Sequence, residues 1–183
     1  MVTRLDRYDN SWYRPGGSAA GRLAWYFVNH LVFNHGLLPL NGLKVFLLRL
    51  FGAKVGRGVV IKPCVNIKYP WRLSIGDYSW IGERVWIDNL AQVTIGAHCC
   101  LSQECLLICG NHHYKKQTFD LITGEIYLED GVWIGTRAVV CPGVRAGNHA
   151  VLSAGSVASH DLLPMTIYRG NPAVLVKSRE IND

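Results

Sequence analysis

The chain lacks any Cys-x-x-Cys pair and any histidine at zinc-finger spacing from a cysteine, although it carries six cysteines in 183 residues (Cys64, Cys99, Cys100, Cys105, Cys109 and Cys141). That excludes a zinc-stapled fold, and free thiols in a reducing cytosol are expected instead. The first ten residues hold Arg4, Asp6, Arg7 and Asp9 rather than a basic tip followed by an apolar run, so a cleaved signal peptide is not expected. No apolar run is long enough to span a bilayer. Ser156 sits in Ala-Gly-Ser-Val-Ala, not in a Gly-x-Ser-x-Gly elbow. Basic residues are not grouped with stacking aromatics, so nucleic acid is not an expected partner. With 49% hydrophobic residues, the chain can bury one good core but not two large ones.

The charge is uneven. Residues 1–57 hold eight Arg or Lys against two Asp, whereas residues 58–183 hold eleven of each sign, so the formal +6 resides entirely at the N-terminal end. The same end contains two apolar stretches, Leu23 to Phe33 and Leu43 to Phe51, interrupted by Asn29, His30 and Arg49. Residues 1–54 therefore read as a basic, amphipathic helical segment. It is expected to cap an open end of the fold, or to touch an anionic membrane surface.

From Val55 onward, apolar residues recur in steps of six: Val55, Ile61, Ile67; Ile75, Ile81, Ile87; Ile95, Leu101, Leu107; Leu128, Ile134, Val140; Ala146, Leu152, Ala158. Six matches neither a helix nor an ordinary strand. A fixed hexad over most of a chain signals a mainly β architecture, a parallel β-helix with three six-residue sides to each turn. Residues 55–163 account for about five coils, a prism about 24 Å long at the spacing of neighbouring strands, leaving 164–183 as a C-terminal tail. Glycine follows the marker at Gly56, Gly76, Gly82, Gly96, Gly135 and Gly147, either to relieve crowding or to permit unusual backbone angles.

The register breaks three times, after Ile67, Ile87 and Leu107, always at the third marker of a coil. All three breaks therefore leave the same corner. The largest is a long protruding loop over 110–127, opening with Gly-Asn-His-His-Tyr-Lys-Lys. A solenoid has no central cleft, so its ligands bind at projecting loops or between subunits. A histidine at the root of the excursion suits a general base near neutral pH. One coil below stand Asp88 and Asn89, read either as acceptor-binding groups, with Asp88 able to orient an imidazole, or as ordinary turn residues. Cys109 near His112 suggests a thiol dyad, although its hexad position is better explained by packing.

From Val55 to Arg179 the chain resembles the hexapeptide-repeat O-acetyltransferases, the group of the galactoside, maltose and nodulation-factor enzymes. The resemblance rests on the hexads, Gly-Asn-His-His-Tyr, the run from Asp130 to Val144, Leu-Ser-Ala-Gly-Ser-Val, and the closing Arg-Gly-Asn-Pro-Ala-Val-Leu-Val-Lys. The segment from Leu5 to Ser18 is similar to the exopolysaccharide branch typified by colanic-acid biosynthesis. The resemblance implies a left-handed β-helix, a cytoplasmic homotrimer without bound metal, and acetyl-coenzyme A between neighbouring prisms. It implies His112 as the base that takes the proton of a sugar or glycan hydroxyl, and Asp88 and Asn89 beside the acceptor. Trp133, Thr136, Ala154, Ser159, His160 and Lys177 match its cofactor positions, with Arg179 as a further phosphate partner. His160 and Val174 stand where relatives carry basic residues.

Three other readings share the scaffold: an acetyltransferase of small xenobiotic hydroxyl compounds, a non-catalytic β-helix scaffold, and a hexapeptide-repeat carbonic anhydrase. The last requires three metal-binding histidines across an interface. His98 and His149 fall on unsuitable sides of the hexad pattern, and no zinc-like spacing appears.

Overall fold

The structure is a computed structural model describing residues 2–182. The hexads build three flat parallel sheets that wind as a β-helix. The first wall stacks Lys54–Val55, Leu73–Ile75, Val93–Ile95, Ile126–Leu128 and Arg145–Ala146. The second stacks Val60–Ile61, Trp80–Ile81, Cys100–Leu101, Trp133–Ile134 and Val151–Leu152. The third stacks Asn66–Ile67, Trp86–Asp88, Leu106–Ile108, Val139–Val140 and Val157–Ala158. Every marker from Ile61 onward is buried, and only Val55, on the end coil, is partly open. The β-helix continues past residue 163: Thr166–Gly170 extends the second wall in parallel, and Ala173–Ser178 folds back antiparallel at its edge.

The two regular corners are made by a residue with positive φ, three positions after a marker. Seven of these residues are not glycine: Cys64, Tyr78, Arg84, His98, Glu104, Arg137 and His149, with φ between 56° and 60°. Such angles are costly for side chains and persist because each coil is clamped by the coils above and below. The marker-plus-one glycines answer the other need. A methyl group on Gly76 would lie 2.5 Å from the Gly96 carbonyl carbon and the Ala97 nitrogen, and one on Gly135 would lie 2.5 Å from the Ala154 nitrogen. Crowding by the adjacent coil, rather than unusual backbone angles, requires glycine at these positions.

The N-terminal segment forms α1 (Ala19–Val28), one π-helical turn over Asn29–Phe33, and α2 (Asn41–Leu50). Ser18 caps α1 by accepting the Gly21 N–H at 3.0 Å. These helices close the first coil, whose strand edges would otherwise have unpaired backbone groups. Asn41 donates to the Val59 carbonyl at 2.9 Å and accepts the Ile61 N–H at 2.7 Å. Lys44, fully buried, donates to the Lys62 carbonyl at 2.9 Å, and the Trp25 indole donates to the Ile67 carbonyl at 2.8 Å. Arg49 covers the carbonyls of Val55 and Gly56. The cap is thus assembled from side-chain donors laid over backbone acceptors. Among the described residues no helix is long and apolar enough to cross a membrane.

Candidate functional site

All three register breaks leave the corner between the third and first walls. The first forms a short 3-10 turn over Pro70–Arg72, and Asn89 from the next coil holds it in place. The Asn89 amide donates to the carbonyls of Tyr69 and Arg72 at 2.6 and 3.1 Å, while its oxygen accepts the Tyr69 N–H at 2.9 Å. Asn89 is fully buried, so its side chain shapes the corner and does not face solvent. Asp88 points the other way. The Lys68 ammonium lies 2.8 Å from its Oδ1 and compensates its charge.

The long excursion is a β-hairpin over its first fourteen residues rather than an irregular loop. Gly110–His112 pairs antiparallel with Leu121–Thr123, setting His112 opposite Leu121. Three contacts hold the His112 ring. Its Nδ1 lies 2.9 Å from the Phe119 carbonyl, its face stacks on the Phe119 ring with centroids 4.4 Å apart, and Tyr8 packs at 5.8 Å. Phe119 itself has φ of 53°, a conformation that turns its carbonyl back toward the hairpin root. A carbonyl only accepts, so Nδ1 carries the hydrogen and the neutral ring keeps its lone pair on Nε2. A half-buried imidazole held in this tautomer can accept a proton from a hydroxyl placed against Nε2.

In the structure the group at Nδ1 of His112 is the Phe119 carbonyl. Sequence reasoning missed that carbonyl and also Tyr8, which reaches the site on an N-terminal arm. The arm is fastened by Arg4 N–H to the Gln117 carbonyl at 2.8 Å, Tyr13 hydroxyl to the Leu90 carbonyl at 2.9 Å, and the Trp71 indole to the Pro15 carbonyl at 2.8 Å. His113 is half-buried; its backbone N–H donates to the Asp120 carbonyl at 2.8 Å.

Cys109 is a buried core residue. Burial pushes its thiol up to about 11, Cys99 likewise to about 11 and Cys105 to about 12, so all three remain protonated at neutral pH. The sign of the linkage follows. An unfolded thiol ionises near 9.0 while the folded one does not, so stability is full below that pH and is lost as pH rises toward 11 to 12. With three such groups the slope approaches about 4 kcal/mol per pH unit, partly offset by buried Lys44, whose pKa is lowered by desolvation. Denaturant unfolding under reducing conditions between pH 8 and pH 10.5 should show this fall. Replacing Cys99, Cys105 and Cys109 with alanine should flatten it.

The other candidate residues lie on the second wall and on two corners. Trp133 is exposed on the outer side of the second wall, its indole donating to Ser102 at 3.0 Å. Thr136 and Ala154 are exposed on successive coils at the corner between the second and third walls, where the Gly155 N–H donates to the Thr136 carbonyl at 2.8 Å. A methyl group on Gly155 at this corner would meet nothing within 4 Å, so its backbone is open to a ligand. Lys177 is exposed on the edge strand of the second wall and forms no ion pair among the described residues, whereas Arg179 is committed to the carbonyls of Gly131 and His149. Ser159 and His160 are exposed just after the last strand of the third wall, on the corner from which His112 projects. Among the described residues no three His, Cys, Asp or Glu side chains group to hold a metal.

A cavity of about 380 Å³ lies between the helical cap and the third wall. The wall supplies Lys68, Tyr69, Trp71, Trp86 and Asp88; the cap supplies Arg22, Tyr26 and His30. Flat aromatic faces beside a few polar groups suit a sugar ring. Asp88 is paired in register with Ile108, on the strand that leads into the His112 hairpin.

No family model matches the chain. Individual relatives do. The colanic acid biosynthesis acetyltransferase WcaF of Escherichia coli K12, so named, is 40% identical over 164 residues, covering 90% of each chain. The galactoside O-acetyltransferase of the same organism is 29% identical over 154 residues, 82% of this chain and 75% of that one. A hexapeptide-repeat acetyltransferase of Vibrio cholerae, solved in complex with acetyl-coenzyme A, superposes with a TM-score of 0.79 at 26% identity, covering 91% of this chain and 92% of its own.

Proposed function

The chain belongs to the hexapeptide-repeat acetyltransferases, whose left-handed β-helix it shares, and on that premise we propose that it transfers acetyl from acetyl-coenzyme A to a hydroxyl of a sugar or exopolysaccharide intermediate, with His112 as general base. The observation that carries this reading is the bond between Nδ1 of His112 and the Phe119 carbonyl, which leaves Nε2 as the proton acceptor. Acetyl-coenzyme A supplies an activated thioester. His112 takes the hydroxyl proton as the acceptor oxygen forms its bond to the acetyl carbon, and the Phe119 carbonyl and ring hold the imidazole in place while it gains charge. Asp88 binds the acceptor's hydroxyls from the cavity beside the cap. Asn89 supports it by holding the Tyr69 to Arg72 turn.

The donor is held by Trp133, Thr136, Ala154, Ser159, His160 and Lys177. Small side chains at Thr136 and Ala154 leave backbone groups accessible to the pantetheine arm, and Lys177, which forms no ion pair among the described residues, receives phosphate. Trp133 and Lys177 lie on the second wall, Thr136 and Ala154 on the corner beside it, and Ser159 and His160 on the far side of the third wall. Side-by-side packing of three prisms brings the Thr136 corner of one chain against the His112 corner of the next, so the working unit is a homotrimer with shared sites. The enzyme is cytoplasmic and meets its acceptor at the inner face of the membrane. The basic N-terminal segment supports that location.

The test is steady-state kinetics of coenzyme A release with a panel of sugars and oligosaccharides, combined with Lys177→Ala. The expected result is turnover with a glycan and a KM for acetyl-coenzyme A raised about tenfold at unchanged kcat, as for loss of a ground-state phosphate contact. Turnover confined to small aromatic alcohols would replace the sugar reading by the xenobiotic one.

A further inference from the structure

The side of the cap that faces away from the prism has no partner. Leu23, Phe27, Leu31, Phe46 and Leu50 are each more than half exposed, and Leu37 in the connecting loop is 81% exposed. The helical spacing explains the division. Trp25, Phe33, Lys44 and Leu48 turn inward to close the first coil, and the apolar residues between them are left on the outside. Monomeric proteins rarely expose a large apolar patch without a use for it.

Charge says what the use is. Between Asp9 and Asp77 the chain has no carboxylate at all, while the same stretch carries nine Arg or Lys. Arg14, Arg49, Lys54 and Lys62 of this set are exposed and form no ion pair among the described residues, whereas Lys68 pairs with Asp88 and Arg57 with Asp77. An apolar face within a mainly cationic surround matches an anionic bilayer surface, where apolar burial and attraction to acidic headgroups act together. A second copy of the chain fits poorly, because two stacked caps would oppose cation to cation with no acid to pair.

We infer that the outer face of the α1 and α2 cap is a docking surface for anionic membrane, so that the enzyme stands on the bilayer on its capped end. This rests on the reading that the acceptor is met at the inner membrane face, and it names the surface that does so. Side-by-side packing of parallel prisms puts three caps on one plane, and binding of the first raises the effective concentration of the others. His112, on the third coil, then stands about 20 Å above the lipid, counting two strand spacings and one helix diameter. Tyr26 and His30 belong both to the cap and to the lining of the cavity that holds Asp88. The cavity therefore opens at the rim of the docking face, and the geometry selects a lipid-carried oligosaccharide whose head extends from the membrane.

The experiment is flotation of the full-length protein with phosphatidylcholine vesicles, with and without phosphatidylglycerol, alongside Leu31→Glu combined with Phe46→Glu. The wild type is expected to float with phosphatidylglycerol vesicles and not with pure phosphatidylcholine. The double variant should lose at least about tenfold in vesicle partitioning, with an unchanged melting transition and unchanged turnover of a water-soluble sugar. Absence of flotation with acidic vesicles, or flotation untouched by the double variant, overturns the inference. So does a doubling of the wild-type mass in solution that the double variant abolishes, since that assigns the face to a second copy. Wild-type protein that turns over a soluble sugar but does not float with acidic vesicles refutes docking alone. Vesicle binding without transfer to any hydroxyl refutes the acetyltransfer reading alone.

Discussion

Replacing His112 with alanine lowers kcat for acetyl transfer by about 10² to 10⁴-fold, the range attributed to a positioned general base. The magnitude follows from what the ring does at the hairpin root. Its Nδ1 is occupied by the Phe119 carbonyl at 2.9 Å and its face by the Phe119 ring, so all proton traffic uses Nε2. KM for acetyl-coenzyme A should change little, because the donor residues lie on other coils. Folding should be nearly unaffected, since the hairpin remains paired through Gly110 and Asn111. Imidazole added to the medium should restore part of the lost rate in the alanine variant, which a merely structural histidine would not allow. A Phe119→Gly variant keeps the carbonyl but loses the stack, and should show a smaller fall in kcat with the base still present.

Replacing Gly76 with alanine destabilises the fold by about 3 kcal/mol or more, at the upper end of the penalties for overpacking. The added methyl group would sit 2.5 Å from backbone atoms of Gly96 and Ala97, which cannot rotate away as a side-chain tip could. Relief requires the coils to separate, and that breaks the bond from the Gly76 N–H to the Ile95 carbonyl at 2.7 Å. Gly143 gives the contrast. Its φ is 84°, but a methyl group there meets nothing within 4 Å, so Gly143→Ala carries only conformational strain of about 1 to 2 kcal/mol. Denaturant midpoints of the two variants measure the difference. Equal losses would mean that backbone angle, not the adjacent coil, governs the marker-plus-one glycines.

The walls and the singled-out corner were legible because they depend on local period. An apolar residue every six positions turns inward whatever its neighbours, and Leu101, Leu107 and Ile134 are fully buried as the count requires. His112 could be located by counting from Leu107, but its role came from family resemblance. What was not legible depends on contacts between distant segments or on backbone atoms. The Phe119 carbonyl has no sequence signature, because any residue supplies one. Tyr8 lies over the hairpin only because the arm is fastened through Arg4, Tyr13 and Pro15 to the same corner. Asn89 reads in the sequence either as an acceptor-binding group or as an ordinary turn residue, and only the neighbouring turn at Tyr69 to Arg72 explains why it points inward. The capping helices could be guessed from their apolar stripes. That Asn41, Lys44 and Trp25 donate directly to first-coil carbonyls could not, since the partners are strand edges defined by the fold itself.

The most direct measurement is transfer of labelled acetyl from acetyl-coenzyme A to an exopolysaccharide oligosaccharide by wild type and His112→Ala side by side, with the product then treated with mild alkali. Label carried onto the glycan by the wild type, released by alkali as expected of an ester, and reduced at least about 10²-fold in the variant is the predicted result. Label that resists alkali as an amide, or transfer undiminished in His112→Ala, would contradict the account.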